Sequence, residues 1–171
     1  MPLTATLKSN IEWNIVQISL QINHANSVNG KAKSGYYRVS ILLAAAVAEA
    51  LAHTLLKDKL DGGMIPPDEG WECFETHDLP DSHQPTTHRL SVCKRRKLPF
   101  QLTNKTDFVK VNKISKDLGI FSNAFFVKMD KVRILRNKIH LQSLTIVDRS
   151  YNKDQLDSIG YVIGKLLNKI T

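Results

Sequence analysis

Cysteine is scarce in this chain: Cys73 and Cys93 are the only two. Two thiols do not make the framework of a small secreted domain, and 171 residues can bury a core without such staples. A reducing cytoplasm is therefore the expected compartment. Acidic residues are also in deficit, with 16 Asp and Glu against 24 Lys and Arg, for a net charge of +8. That balance favours polyanionic partners, nucleic acid before an anionic membrane. A long uninterrupted hydrophobic run is missing too. The most apolar stretch, residues 39–56, "VSILLAAAVAEALAHTLL", is broken by Glu49 and His53. Its unbroken part is too short for a bilayer and reads as a buried core helix, so no membrane partner is expected. The opening "MPLTATLKSNIEW" has no basic-then-apolar order of the kind a signal peptide carries. Internal repeats and low-complexity segments are absent as well.

What is present is a globular composition, 42% hydrophobic and 23% charged, organised by helical periodicity. Leu7, Ile11, Ile15, Ile18 and Ile22 recur at helical intervals in residues 7–28. "NGKAKSG" reads as a Gly-rich connector, followed by an Ala- and Leu-rich helix from Tyr36 to Lys57. "DGGMIPPDEG" stops it. Residues 70–103 alternate apolar and polar residues around a polar turn, which reads as a β-hairpin or an irregular insertion. Helical character returns in "DFVKVNKISKDLGI", with Thr106 or Asp107 as the cap and Gly119 just past the end. Ser122 is placed to cap the next helix, residues 123–144. The last segment puts Leu156, Ile159, Ile163, Leu166 and Ile170 on one stripe; Ser150 is its candidate cap, and Gly160 and Gly164 suggest close packing. The expected fold is all-α: one domain over residues 1–171, an antiparallel bundle of four to five helices. A small hairpin or loop region, residues 61–106, is inserted between the second helix and the later ones.

One stretch stands out, "VRILRNKIHLQ", residues 132–142. Val132, Leu135 and Ile139 form a core stripe. Arg133, Arg136, Asn137 and His140 fall within roughly 100° of arc beside it, because an α-helix advances about 100° per residue. Such a group suits metal-free phosphodiester cleavage. An imidazole titrates near neutrality and can take or give a proton at a ribose hydroxyl. A guanidinium is a permanent forked donor to a phosphate gaining charge. Asparagine can hold phosphate or imidazole in place. The alternative is a solvated basic flank. Glu49, inside the apolar second helix, either pairs with Arg133 or Arg136 or reaches solvent.

"RILRNKIHLQ" resembles the signature helix of the HEPN superfamily, which carries an Arg, often with a polar residue after it, and a His one or two turns on. "YYRVSILLAAAVAEALAHTLL" is similar to that family's early Ala-rich core helix, and a final amphipathic helix fits as well. The resemblance covers most of the chain outside residues 61–106. The family spacing places four to six residues between Arg and His. Arg133 meets it, with six before His140; Arg136 has three, but Arg136–Asn137 matches the common Arg-Asn pair. The resemblance implies a metal-independent endoribonuclease without a cofactor. It implies catalytic His140, Arg136, Arg133 and Asn137, with Glu49 in support, and a homodimer whose signature helices share a cleft. A toxin paired with an antitoxin protein, or an antiviral effector, would be its setting. The alternative is a non-catalytic module of that family, binding RNA, a nucleotide or a protein.

Two features of the insertion remain. "CKRRK" gathers Lys94, Arg95, Arg96 and Lys97, candidates for RNA backbone or for an acidic antitoxin surface; a solvated loop is the alternative. Cys73, His77, His83, His88 and Cys93 contain enough ligand types for a tetrahedral zinc site, but not at a standard finger spacing, and no metal is assigned. Tyr36 and Tyr37 could stack on bases, though at the start of a core helix they read as packing groups.

Overall fold

The computed structural model describes residues 3–67, 70–84, 90–139 and 150–170. Among these the chain forms five helices and one two-stranded antiparallel sheet.

Helix α1 (Ala5–Asn26) begins at Thr4, whose side chain accepts the Leu7 N–H at 3.3 Å. This satisfies one of the donors that a helix start leaves open. Ile11 and Ala25 on its inner face are buried, and Leu7, Ile18 and Ile22 pack beside them. Helix α2 (Gly30–Asp61) follows after three residues and folds back along α1. The Gly-rich connector expected at residues 29–35 is thus mostly helix. Gly30, with φ +60, supplies the break, and the helix runs on through Gly35. A glycine inside a helix costs about 1 kcal/mol against alanine, and tertiary anchoring outweighs it here. Ser34 Oγ accepts the Tyr151 N–H at 2.8 Å, Tyr37 is buried, and the Tyr36 ring stacks on His24 with centroids 5.4 Å apart.

Helix α2 is the hub, in contact with α1, α3 (Phe108–Asp117), α4 (Asn123–Ile139) and α5 (Lys153–Ile170). At 32 residues it is longer than its unbroken apolar run suggests, and by length and composition alone it could cross a membrane. In this fold Ile41, Ala45, Ala48, Leu51, Ala52 and Leu56 are fully buried against the other helices. Glu49 and His53 lie on the flank of that face, half-buried.

The insertion is a hairpin as expected: β1 (Trp71–Asp78) pairs antiparallel with β2 (Ser91–Lys97). Cys73 and Cys93 are joined in a disulfide, Cα atoms 5.6 Å apart. Asp107 stands at the N-cap of α3 without bonding through its side chain, and Gly119, at φ +71, closes that helix. Ser122 caps α4, its Oγ accepting the Phe125 N–H at 3.3 Å. The described part of α4 ends at Ile139, so His140 and the expected continuation to residue 144 lie outside the described residues. Helix α5 is capped by Asn152, not Ser150. Asn152 Oδ1 accepts the Gln155 N–H and Gln155 Oε1 accepts the Asn152 N–H, both at 3.1 Å, a reciprocal box. Gly160 and Gly164 do not mark close packing: both are exposed, and a Cβ on either would meet nothing within 4 Å. They sit opposite the buried stripe of Leu156, Ile159, Val162 and Leu166.

Candidate active site

The polar flank of α4 is assembled by the same helical geometry that buries its other side. Met129, Val132 and Ile139 are buried, while Arg133 and Arg136 are half-buried and Asn137 is exposed. Arg133, Arg136 and Asn137 line one pocket of about 350 Å³. Glu49 of α2 forms another wall, and residues 104–107, ahead of α3, form the third.

Glu49 settles the choice between pairing and solvent. Its Oε2 accepts from Arg136 Nη1 at 2.8 Å. The two side chains keep 29% and 32% of their surface exposed, so water still screens the pair and its worth is positional before it is energetic. Arg133 is held from its own helix, its Nε donating to Asp130 Oδ1 at 2.6 Å across one turn. A guanidinium carries five N–H donors in a fixed fork, so a single carboxylate contact does not exhaust it. The structure brings Arg133, Arg136, Asn137 and Glu49 together. It does not describe His140, the residue next after Ile139.

Two parts of this neighbourhood were not singled out from the sequence. Arg38, on α2, donates through Nη2 to the Ile139 carbonyl at 2.9 Å. It ties the last described residue of α4 to α2. Its signal was available: like Glu49, it is a charged residue on a flank of an otherwise apolar helix. The second part is the 103–106 turn. Thr106 Oγ1 accepts the Thr103 N–H and Thr103 O accepts the Thr106 N–H, each at 2.9 Å, and Thr103 Oγ1 accepts the Lys105 N–H at 3.2 Å. His53 Nε2 stands 3.0 Å from Thr103 O and pins the turn to α2. That bond requires the tautomer protonated at Nε2. Lys105 is thereby presented to the pocket from a braced piece of chain.

The basic cluster of β2 is partly neutralised from across the hairpin. Lys94 Nζ donates to Glu75 Oε2 at 2.7 Å, and Arg96 Nε donates to Glu72 Oε1. The Glu75 carboxyl is held below its ordinary range, first by Lys94 and then by His77, whose Nε2 is 2.8 Å from Glu75 Oε1. Arg95 faces Cys73 in the register, and Lys97 faces Trp71. The zinc arrangement meets a competing bond, since the two sulfurs it would use are joined to each other. His88 lies outside the described residues. No group of three or more His, Cys, Asp or Glu among the described residues is arranged to hold a metal ion.

Comparison with known proteins finds no matching family model, no similar curated protein and no similar solved structure.

Proposed function

We propose that this protein is a metal-independent endoribonuclease of HEPN type. The observation that carries the reading is the convergence of Arg133, Arg136, Asn137 and Glu49 on one pocket beside the last described turns of α4, whose last described residue, Ile139, directly precedes His140 in the sequence. In the proposed reaction His140 removes the proton of a ribose 2′-OH. The freed oxygen attacks the adjacent phosphorus, and the bond to the 5′-oxygen of the next nucleotide breaks. That oxygen takes the proton that His140 has gained, and a 2′,3′-cyclic phosphate remains on the 5′ fragment. Arg133 and Arg136 bind the phosphate as charge accumulates on it. Glu49 aims Arg136, and Asn137 positions the phosphate or the imidazole. Lys94, Arg95, Arg96 and Lys97 contact the RNA backbone outside the cut site, consistent with the net charge of +8. No cofactor takes part. The protein acts as a homodimer in which two α4 helices border a shared cleft. Its setting is the cytoplasm, as a toxin held by an antitoxin protein or as an antiviral effector.

Purified protein, with and without His140→Ala, incubated with total RNA and EDTA tests this directly. Cleavage by the unaltered chain alone, leaving cyclic phosphate ends, is the expected result. Sensitivity to EDTA, or cutting of a substrate with 2′-deoxyribose at the scissile position, refutes the mechanism. Glu49→Gln should lower cleavage while changing stability by less than about 1 kcal/mol. Trapping the thiols of Cys73 and Cys93 by alkylation in intact cells tests the compartment, because a disulfide persists in oxidising surroundings.

A second reading is a non-catalytic module of the same family that binds RNA, a nucleotide or a protein. The carboxylate on each arginine favours it, since Asp130 and Glu49 already occupy part of each guanidinium. Toxicity on expression that persists in His140→Ala would select it.

A further inference from the structure

The base of the hairpin faces the start of α3 across a second pocket, of about 660 Å³. Its walls carry Arg96, Lys97, Lys105 and Lys110 against Glu72 and Asp107, four cations to two anions. It shares Lys105, Thr106 and Asp107 with the pocket of Arg133 and Arg136. One segment of chain therefore separates the two, and it includes the turn that His53 and the Thr103–Thr106 bonds brace. Lys105 stands on that segment and lines both sides.

An aromatic ring lies on the same hairpin. The register of β1 and β2 shifts between Cys73 and Glu75, leaving Phe74 without a cross-strand partner. A bulge re-aims the side chain it frees, and Phe74 is 53% exposed, with the Arg96 guanidinium carbon 5.9 Å from its ring centroid. Scattered exposed aromatics are ordinary. A ring on a charged strand, tied through Arg96 to a cationic trough, is the combination that holds single-stranded nucleic acid. Cations follow the phosphates, and the ring takes the face of an unstacked base. A duplex offers no free base face to such a ring, and an acidic protein surface has no use for one.

We propose that the trough between the hairpin and α3 is the lead-in channel for single-stranded RNA. Lys105 and Lys110 hold backbone phosphates, Phe74 stacks on a base, and the strand passes over Lys105 into the pocket of Arg133 and Arg136. The proposal rests on the RNA substrate argued above and narrows it to unpaired strands.

The test measures binding by the full chain, so that it does not depend on cutting. The probe is a fluorescent 2′-O-methyl oligonucleotide of about a dozen nucleotides, within the span that single-strand binding sites cover. Its anisotropy is followed over a salt series. Lys105→Ala with Lys110→Ala should weaken binding about tenfold and flatten the salt slope by about 1.4, the value for two lost phosphate contacts on a single strand. Phe74→Ala should weaken binding about fivefold or more with the slope unchanged. Lys165→Ala with Lys169→Ala, the same charge change on α5, should leave binding nearly as it was. Circular dichroism melts confirm that each variant is folded. Absence of oligonucleotide binding, equal losses for the two lysine pairs, or a perfect duplex bound as tightly as the single strand would each overturn the channel. Polyglutamate displacing the probe as well as unlabelled oligonucleotide would overturn it in favour of an acidic protein partner. The two readings fail separately. Channel-dependent binding without cleavage of the ribose form removes the nuclease and keeps the channel. Cleavage unaffected by all three channel substitutions does the reverse.

Discussion

In the helical body, Leu51, Met129, Ile159 and Leu166 are completely buried, and every helix reaches α2. In the hairpin, no strand side chain that the structure describes is buried, and neither strand packs on a helix. The body is held by apolar burial, the hairpin by ladder hydrogen bonds, one disulfide and ion pairs from strand to strand. A lone two-stranded hairpin is marginal in water, so the covalent link and the Glu75–Lys94 and Glu72–Arg96 pairs do work that a core does elsewhere. The difference shows how one chain can carry a pocket built on a packed body and a basic arm that owes nothing to the core.

The largest expected effect lies in the body. Leu51→Ala should cost about 3 kcal/mol, the usual loss for a leucine removed from a packed interior, and lower the midpoint of the whole helical melt followed by circular dichroism. An intact hairpin should not rescue it. Next, for purified protein with the disulfide formed, is Cys73→Ser, which frees a loop whose closure is worth about 3 kcal/mol. Hydrogen exchange should accelerate across β1 and β2 while the α2 amides stay protected. Loss of protection in α2 would break the contrast between the two regions. A gain comes third. Asn112 is fully buried on α3, and neither Nδ2 nor Oδ1 has a hydrogen-bond partner among the described residues. Asn112→Leu should raise stability by about 1 kcal/mol, because a buried unpaired amide is a net cost, and denaturant titration would measure it. Smaller again are Gly160→Ala and Gly164→Ala on the open side of α5, each expected to stabilise by about 0.5–1 kcal/mol through reduced backbone freedom.

The mildest prediction concerns acid. The Glu75 carboxyl is held below its ordinary range by Lys94 and then His77. Its folded value is depressed, so the pairing contributes fully above the unfolded carboxyl range and is lost as pH falls through the folded value. NMR titration should show the hairpin resonances shifting in that acidic window before the bundle unfolds. Lys94→Ala should move the Glu75 transition upward.

Where burial or local turn chemistry dictates structure, the pattern was readable: the stripe of α5 followed from periodicity, and the cap at Ser122, the stop at Gly119 and the hairpin, as one of two options, from capping and turn residues. Residues 30–35 were misread because local composition favours a connector, whereas anchors from elsewhere, such as the bond from Tyr151 to Ser34, favour helix. Gly160 and Gly164 were misread because spacing alone cannot say whether a neighbour is present. The pairing of Glu49 with Arg136 was legible as one of two options, and only the approach of α4 to α2 decides it. Arg38 and the braced 103–106 turn depend on contacts between distant residues, 101 positions apart for Arg38 and Ile139, which no periodicity encodes.

The central place of α2 also has a meaning in time. Of the helices that cover it, α1 comes before and α3, α4 and α5 come later in the chain, and α5 begins at Lys153, 92 positions after Asp61 (153 − 61). At the usual pace of synthesis, about 5–20 residues per second, roughly 5–20 s separate the two. Through that interval α1 is already in place, α3 and α4 are added in turn, and the part of α2 that α5 covers stays bare to the end. The step at which this protein is most exposed to aggregation, or to capture by a chaperone, is therefore set by the order of its elements, and it lasts until α5 arrives, after every described residue of the pocket has been made.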